Sequence, residues 1–485
     1  MANIAFLLDV AADTVGDRVA VGPRHGGTTF AELRRLAQVL GARVAAESVD
    51  ALSFGDANGL AGPVALFAAA WASVPYAPVN YRLPDEQRAR LLARLGDTHH
   101  VGSGEGDAWV AKAGTDADAA AAPTAYPDEP TRPAVLLFTS GTTAEPKSAI
   151  LEHDNLLAYA LNINELASAD EDEAVLLAVP PFHIAGVAGV LSAVFSGRRI
   201  VPVARFSPEE WVDTAQREEV THAFLVPTML ARIVGVLAER GGVELPSLRT
   251  LSYGGARMPV PVLERALELF PNAGFVNAYG LTETSATVTV LGPDEHRAAL
   301  ATDDPAVRAR LGSAGLPVPG VEIEVVGDDG APVPTGAEGT IRIRGDQVSG
   351  RYVGQGSAVG DEGWLVTGDL GHIDDDGYLF VHGRSDDVII VGGENISPGE
   401  VEDCLLRHPA VTAAAVVGVP DEEWGEQVGA MVTTVGGVDA AELAAWAREH
   451  LGGLKAPKTV TLTEELPMTP TGKVLRRVVR ARLAG

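Results

Sequence analysis

The chain has a single cysteine, Cys404, which excludes an intrachain disulfide and gives no sign of a cysteine-based zinc site. It falls in an amphipathic stretch, where a small buried core residue is its expected role. Basic residues are scarce too: 37 Lys and Arg against 65 Asp and Glu leave a formal net charge of -28. That balance favours solubility and disfavours nonspecific attachment to DNA, RNA or anionic lipid. An anionic ligand would need the few basic residues gathered at its site. Long apolar runs are also lacking. The 62–74 run is too short to span a bilayer, and the N-terminus lacks the basic region, apolar run and small-residue cleavage site of a secretory signal. The expectation is a cytoplasmic protein with no membrane span, and no repeat period stands out.

What the chain does have is length and apolar content. Its 485 residues, 46% of them hydrophobic, exceed one ordinary core and predict roughly two to four domains. Residues 30–40 carry a helical face of Phe30, Leu33, Leu36 and Leu40, with Thr29 as a cap. A buried helix is expected over 62–73. Pro75 and Pro78 argue against a central strand there and point to an extended segment entering a turn. A short helix follows over 84–95, then an irregular Ala-, Gly-, Asp- and Pro-rich connection over 102–132. Strand-like runs at 174–179, 200–203, 223–226 and 275–278 alternate with helices, one starting at Ser207 with Glu210 at capping-box spacing. This alternation predicts parallel sheets covered on both faces, with ligands beyond the carboxyl ends of strands. From about residue 316 alternating segments and Gly/Pro turns suggest a small antiparallel sheet or barrel. The last hundred residues read as a separate α+β unit. The boundary is set at Arg384, giving domains 1–384 and 385–485.

The chemistry centres on Thr139-Ser140-Gly141-Thr142-Thr143-Ala144-Glu145-Pro146-Lys147. An apolar strand over 134–138 runs into this hydroxyl- and glycine-bearing loop. Gly141 lets backbone approach a ligand, the hydroxyls and backbone N–H groups are donors for phosphate oxygens, and Lys147 adds a positive charge. It is not a Walker A loop, because Pro146 precedes the lysine where that motif has glycine. The plain alternative is a Ser/Thr-rich surface turn.

Further turns follow strand-like runs. In Tyr279-Gly280-Leu281-Thr282-Glu283-Thr284, Glu283 offers a carboxylate for Mg²⁺, Thr282 a phosphate donor and Tyr279 a ring for a purine. Otherwise this is a strand-end turn with an exposed glutamate. Gly254-Gly255-Ala256 is either a surface for a flat ligand or a tight turn. Asp369 is either a carboxylate accepting two ribose hydroxyls or a turn aspartate. His183, after Pro180-Pro181-Phe182, either walls an apolar acid pocket or is a satisfied core histidine. The segment 471–485 carries Lys473, Arg476, Arg477, Arg480 and Arg482 and no acid. It lacks the aromatics of a nucleic-acid patch, and Lys473 sits on a loop suited to delivering it to a phosphate.

In this order and separation the motifs, spanning residue 20 to the end, resemble those of the adenylate-forming superfamily of acyl- and aryl-CoA ligases, luciferases and peptide-synthetase adenylation domains. The resemblance implies ATP, Mg²⁺ and coenzyme A, with the 139–147 loop on the β- and γ-phosphates. Gly254, Gly255, Ala256, Tyr279 and Gly280 would line the adenine site, Thr282 would contact the α-phosphate, and Glu283 would hold magnesium. Asp369 and Arg384 would bind the ribose, and Asp386 resembles a hinge. Lys473 resembles the adenylation lysine, and His183 the residue bordering the acyl site. Gly392-Gly393-Glu394-Asn395-Ile396 resembles the loop that lines the pantetheine tunnel after domain rotation. Many relatives have glycine where this chain has Ala144 and Ser148, which implies a phosphate loop with less access to positive φ.

The implied reaction is AMP-forming ligation of a carboxylic acid to CoA by a monomer or homodimer. The acid walls expected at 182–190, 225–232 and 284–289 are mainly apolar or hydroxylic, which favours an aromatic, alicyclic or medium-chain monocarboxylate. Arg232 and Arg257 are the nearby cations in sequence, and a dicarboxylate would ask for a buried cation. The rivals are an enzyme loading a carrier protein, a luciferase-like oxygenase and a non-catalytic nucleotide sensor.

Overall fold

The computed structural model describes residues 2–114, 126, 130–139, 146–241, 245–360, 362–469 and 473–484. The large N-terminal α/β domain is built on two sheets. In the first, nine strands run in the spatial order Leu316–Pro317, Ala286–Leu291, Gly274–Leu281, Thr250–Gly254, His222–Leu225, Ala174–Leu177, Arg199–Pro202, Val19–Val21 and Thr28–Thr29. Pairing is parallel from Gly274–Leu281 through Val19–Val21, and antiparallel only at the two margins. The second sheet has the order Arg351–Tyr352, Lys147–Leu151, Val135–Thr139, Tyr76–Pro78, Ala51–Phe54 and Thr98–Val101.

One large core joins helices Ala5–Val15, Phe30–Ala46, Ala61–Ala72 and Ile184–Ser196 to both sheets. Helix Ala61–Ala72 is buried nearly all round, as its apolar sequence requires. It crosses Phe30–Ala46 at Gly41, where a Cβ would lie 2.7 Å from that of Trp71. The Thr29 hydroxyl caps its helix by accepting from Glu32 N, and Ser207 does the same for Glu210 N. Fully buried Phe30, Phe54 and Phe67 each contribute about 1.5–3 kcal/mol of transfer free energy.

The expectation for Pro75 and Pro78 is overturned. Tyr76–Pro78 is an interior strand, parallel to Ala51–Phe54 on one side and to Val135–Thr139 on the other. The prolines fall where no ladder N–H is needed. Pro75 accepts from Leu52 N through its carbonyl, Tyr76 N donates to Ala134 O, and Val79 N to Phe54 O.

The small antiparallel sheet exists as Val321–Val326, Gly339–Gly345, Leu365–Ile373 and Leu379–Arg384 in that order. The smaller C-terminal α+β domain has a five-stranded sheet. It is built on the long hairpin Val411–Asp421 and Gly425–Thr434, with Thr459–Leu462 parallel to the second strand. Helices Pro398–Leu406, Ala440–Lys455 and Arg476–Leu483 cover it. Cys404 is buried in the first of these, as its helical surroundings predict.

Candidate active site

Strands Val135–Thr139 and Lys147–Leu151 pair antiparallel, so Thr139 stands opposite Lys147 at the end of a hairpin. Ser140, Gly141, Thr142 and Thr143 lie outside the described residues, as do Ala144 and Glu145. The base of the loop is clamped: Arg94 donates to Pro146 O at 2.6 Å and stacks over Phe138. Ser148 is a buried strand residue paired with Phe138, and it is not among the positive-φ residues. The expected cost of lacking glycine there does not arise, because strand backbone suits any L-residue.

A cavity of about 450 Å³ lies between the domains. Gly255, Ala256, Tyr279 and Gly280 line one side, Asp369 and Arg384 another, and Lys473 closes it from the C-terminal domain. Gly254 sits behind this wall, at the end of strand Thr250–Gly254. A Cβ there would fall 2.1 Å from Ala278 O, so only glycine lets the two strand ends approach. Gly255 turns away at φ +80.

Asp369 and Arg384 are direct partners across strands Leu365–Ile373 and Leu379–Arg384, which explains their ion pair at 3.5 Å. The Tyr279 hydroxyl donates to Asp369 Oδ2 at 2.7 Å. Sequence reasoning gave Tyr279 a purine to stack on and missed this bond. Burial raises the Asp369 pKa, and Tyr279, Arg384 and Lys473 oppose the rise.

Thr282, Glu283 and Thr284 form a single 3₁₀ turn after strand Gly274–Leu281. The Thr284 hydroxyl ties the turn together, accepting from Leu281 N at 2.9 Å and lying 2.9 Å from Ala286 O. Ser285 then adopts φ +56 and Ala286 φ +109. Ser349 N and Gly350 N donate to Glu283 O, and Tyr352 OH donates to Glu283 Oε1. The Lys147 ammonium lies 5.3 Å from the centre of the Tyr352 ring. Tyr352 was not found from the sequence. Its two-residue strand has no period of its own and is defined only by pairing with Ala149 and Ile150, some 200 residues earlier.

His183 caps helix Ile184–Ser196, its Nδ1 accepting from Ala185 N at 3.2 Å. The neutral ring therefore carries its proton on Nε2. Desolvation first, and the charge of Lys473 second, push its pKa down to about 3, so it stays neutral at ordinary pH. Gly186 lets this helix press on the Pro180-Pro181 turn, where a Cβ would meet Pro180 O at 2.5 Å.

Lys473 is solvent-accessible but enclosed by cleft walls, and desolvation lowers its pKa while Asp369 and Glu283 pull it up. The same ammonium thus acts on His183, Asp369 and Glu283. Gly392 and Gly393 are not brought to this cavity. They form the two-residue turn between Ile389–Val391 and Glu394–Ile396, with φ +59 and +88 and Gly392 against Trp424. Asp386 is exposed in the short turn Ser385–Asp387 that follows the Asp369–Arg384 pair.

The arrangement offers a buried carboxylate for paired hydroxyls, a glycine-lined slot for a flat base, and two lysines for polyanionic oxygens. No group of three or more His, Cys, Asp or Glu fit for a metal occurs among the described residues. A single carboxylate, Glu283, beside the lysine that ends the hydroxyl-rich loop fits magnesium, which takes one or two carboxylates and completes its shell with phosphates and water. No helix among the described residues is long and apolar enough to cross a membrane.

The family described as AMP-binding enzyme matches residues 8–353, and the AMP-binding enzyme C-terminal domain matches 400–473. The chain is 36% identical to a feruloyl-CoA synthase of Amycolatopsis sp, over 96% of each chain. The structure is similar to o-succinylbenzoate coenzyme A synthetase from Bacillus subtilis in complex with ATP and magnesium ion, at 29% identity and TM-score 0.80 over 99% of each chain. It is also similar to amide bond synthetase McbA from Marinactinospora thermotolerans, at 28% identity and TM-score 0.84 over 99% of each chain. With both halves matched in order and the cleft between them formed, the chain belongs to the AMP-binding enzyme family, the adenylate-forming superfamily that includes acyl- and aryl-CoA ligases.

Proposed function

We propose that this protein is an ATP-dependent, AMP-forming ligase that joins a hydrophobic aromatic, alicyclic or medium-chain monocarboxylate to coenzyme A. The observation that carries this reading is Lys473 of the C-terminal domain lining the same cavity as Tyr279, Asp369 and Arg384, near enough to His183 and Glu283 for the charges to be felt. Those residues serve a charge-meeting step, in which a carboxylate oxygen attacks the α-phosphorus of ATP.

In that step an O–P bond forms, the bond to pyrophosphate breaks, and an acyl adenylate remains. Lys473 and Lys147 offset the charge of the converging anions, with Lys147 and Thr139 at the base of the phosphate loop and Thr282 near the α-phosphate. Magnesium held by Glu283 would supply further neutralisation of the phosphate oxygens. Asp369 accepts from the ribose hydroxyls beside Arg384, and Gly255, Ala256, Tyr279 and Gly280 hold the base. His183, neutral and with its proton on Nε2, borders the acyl group as a wall and not as a base. The proposed unit 385–485 then turns about Asp386, withdrawing Lys473 and bringing Gly392-Gly393 to the pantetheine path. The thiol of coenzyme A, losing its proton, attacks the acyl carbon and AMP leaves.

The cations considered for a second carboxylate are engaged elsewhere, which supports a monocarboxylate. Arg232 lies over the Phe206 ring, and Arg257 binds Gly399 O and Asp403. The Thr284 and Thr289 hydroxyls bond backbone carbonyls, so they add little polarity to the acyl wall. Likeness to a feruloyl-CoA synthase favours an aromatic acid within the class. Likeness to an amide bond synthetase favours, as a second reading, an amine in place of the thiol.

Carboxylate-dependent exchange of labelled pyrophosphate into ATP, run across a panel of acids, tests the first half-reaction. No exchange with any acid overturns it. Adding coenzyme A, a carrier protein or an amine and identifying the product separates the acceptors.

A further inference from the structure

Glu283 is gripped from one side by a single short segment. Ser349 N and Gly350 N donate to its carbonyl at 2.8 and 3.3 Å, and the Tyr352 hydroxyl donates to its Oε1 at 2.5 Å. Gln347 extends the grip, its Nε2 donating to Thr284 O and Thr287 O. The same tyrosine faces the phosphate loop. Tyr352 pairs with Ala149, which places it diagonally across the ladder from Lys147, within reach of a long side chain. The lysine ammonium rests 5.3 Å from the ring centre, inside the range of a cation–π contact. One side chain thus touches both cationic and anionic sides of the phosphate site, through different parts of itself.

We propose that Tyr352 is a positioning residue that sets the metal-holding carboxylate of Glu283 and the phosphate-loop lysine in register before ATP arrives. Its hydroxyl fixes the carboxylate plane by occupying Oε1, leaving Oε2 for magnesium. Its ring face seats Lys147 and keeps that ammonium from collapsing onto Glu283, which would cancel both charges the nucleotide needs. Backbone bonds to the Glu283 carbonyl hold the turn, while among the described residues the phenol is what bonds the carboxylate, so the two contributions are separable by substitution. This inference rests on Glu283 as the magnesium ligand.

The test is calorimetric titration of the full chain with ATP, once with excess Mg²⁺ and once with a chelator, alongside a thermal melt. It needs neither the acid nor turnover. Tyr352→Phe keeps the ring and loses the donor. It is expected to reduce the advantage of MgATP over metal-free ATP about tenfold, the scale of an outer-shell partner of a metal ligand, with metal-free binding unchanged. Tyr352→Leu is expected to weaken metal-free ATP as well, because Lys147 loses its seat. Glu283→Gln tests the underlying reading: retention of the full magnesium advantage overturns Glu283 as ligand, and this inference with it. If Glu283→Gln loses that advantage and Tyr352→Phe keeps it, the ligand assignment stands and the role of Tyr352 is wrong. Equal weakening of both ATP forms by Tyr352→Phe, or a matching drop in melting temperature, reduces Tyr352 to a structural residue and also overturns the proposal.

Discussion

Arg257 crosses from the glycine loop of the large domain to Asp403 on helix Pro398–Leu406, with 2.5 Å between Nη2 and Oδ2, while its Nη1 donates to Gly399 O. This clasp holds the C-terminal domain where Lys473 reaches the cleft. Arg257→Ala should slow adenylation about tenfold, the worth of one charge-assisted hydrogen bond. Thioester formation from supplied acyl adenylate should be unchanged or faster. The two half-reactions assayed separately decide it, and equal slowing of both contradicts the clasp.

Lys473→Ala removes the cation proposed to meet both anions. Adenylation should fall by about two to three orders of magnitude, as when an oriented electrostatic donor is lost. Thioester formation from supplied acyl adenylate should persist. Asp386→Pro, which restricts the exposed turn after Arg384, should give the opposite pattern. Single-turnover assays of each half-reaction distinguish the two variants, and identical profiles would count against domain rotation.

Asp369 carries a pKa raised chiefly by burial. Its carboxylate therefore gains a proton at higher pH than an ordinary aspartate, and ribose binding should weaken earlier as pH falls. Tyr279→Phe removes the hydroxyl that stabilises the charged form, so it should move that loss to still higher pH. Titrating ATP affinity between neutrality and pH 4 shows the shift, and superimposable curves would refute it. In linkage terms a raised carboxylate pKa gives a native state that holds more protons, so this group opposes folding above its unfolded pKa.

His153 is buried, accepts from Ile4 N, and has its pKa lowered by desolvation to about 4, while that of His183 is pushed to about 3. Between about pH 6.5 and pH 4 the unfolded chain binds protons that these folded histidines refuse. These two histidines should therefore make stability fall as pH drops through that window, together contributing at most about 2.7 kcal/mol per pH unit. Urea unfolding followed across the window measures it. His153→Asn should flatten the slope, and an unaltered slope would locate the proton uptake elsewhere.

Local patterns made much of this fold readable. The helix over 398–407 and the strand hairpin around Asp374-Asp375-Asp376-Gly377 were marked by proline, turn residues and alternation, and both are present. Tyr76–Pro78 was not readable, because proline counts against a strand unless its neighbours happen not to need its N–H. The Gly392–Gly393 turn is expected at the pantetheine tunnel only after domain rotation, and in the present arrangement it does not line the cavity. A glycine pair specifies a backbone shape and says nothing about which rigid body it will face.

The sequence by itself determined the chemical inventory: a hydroxyl-rich loop ending in Lys147, acidic and hydroxyl groups at strand ends, and one loop lysine near the terminus of an acidic chain. Residue type and local spacing are enough for that, since each motif is a short strand-to-turn unit. Tertiary structure alone decided that Tyr279 bonds Asp369, that Tyr352 stands between Lys147 and Glu283, and that Arg257 holds Asp403. Each of those contacts joins segments 69 to 205 residues apart. No local periodicity encodes such a pairing; it follows from how the sheets register and the two domains close.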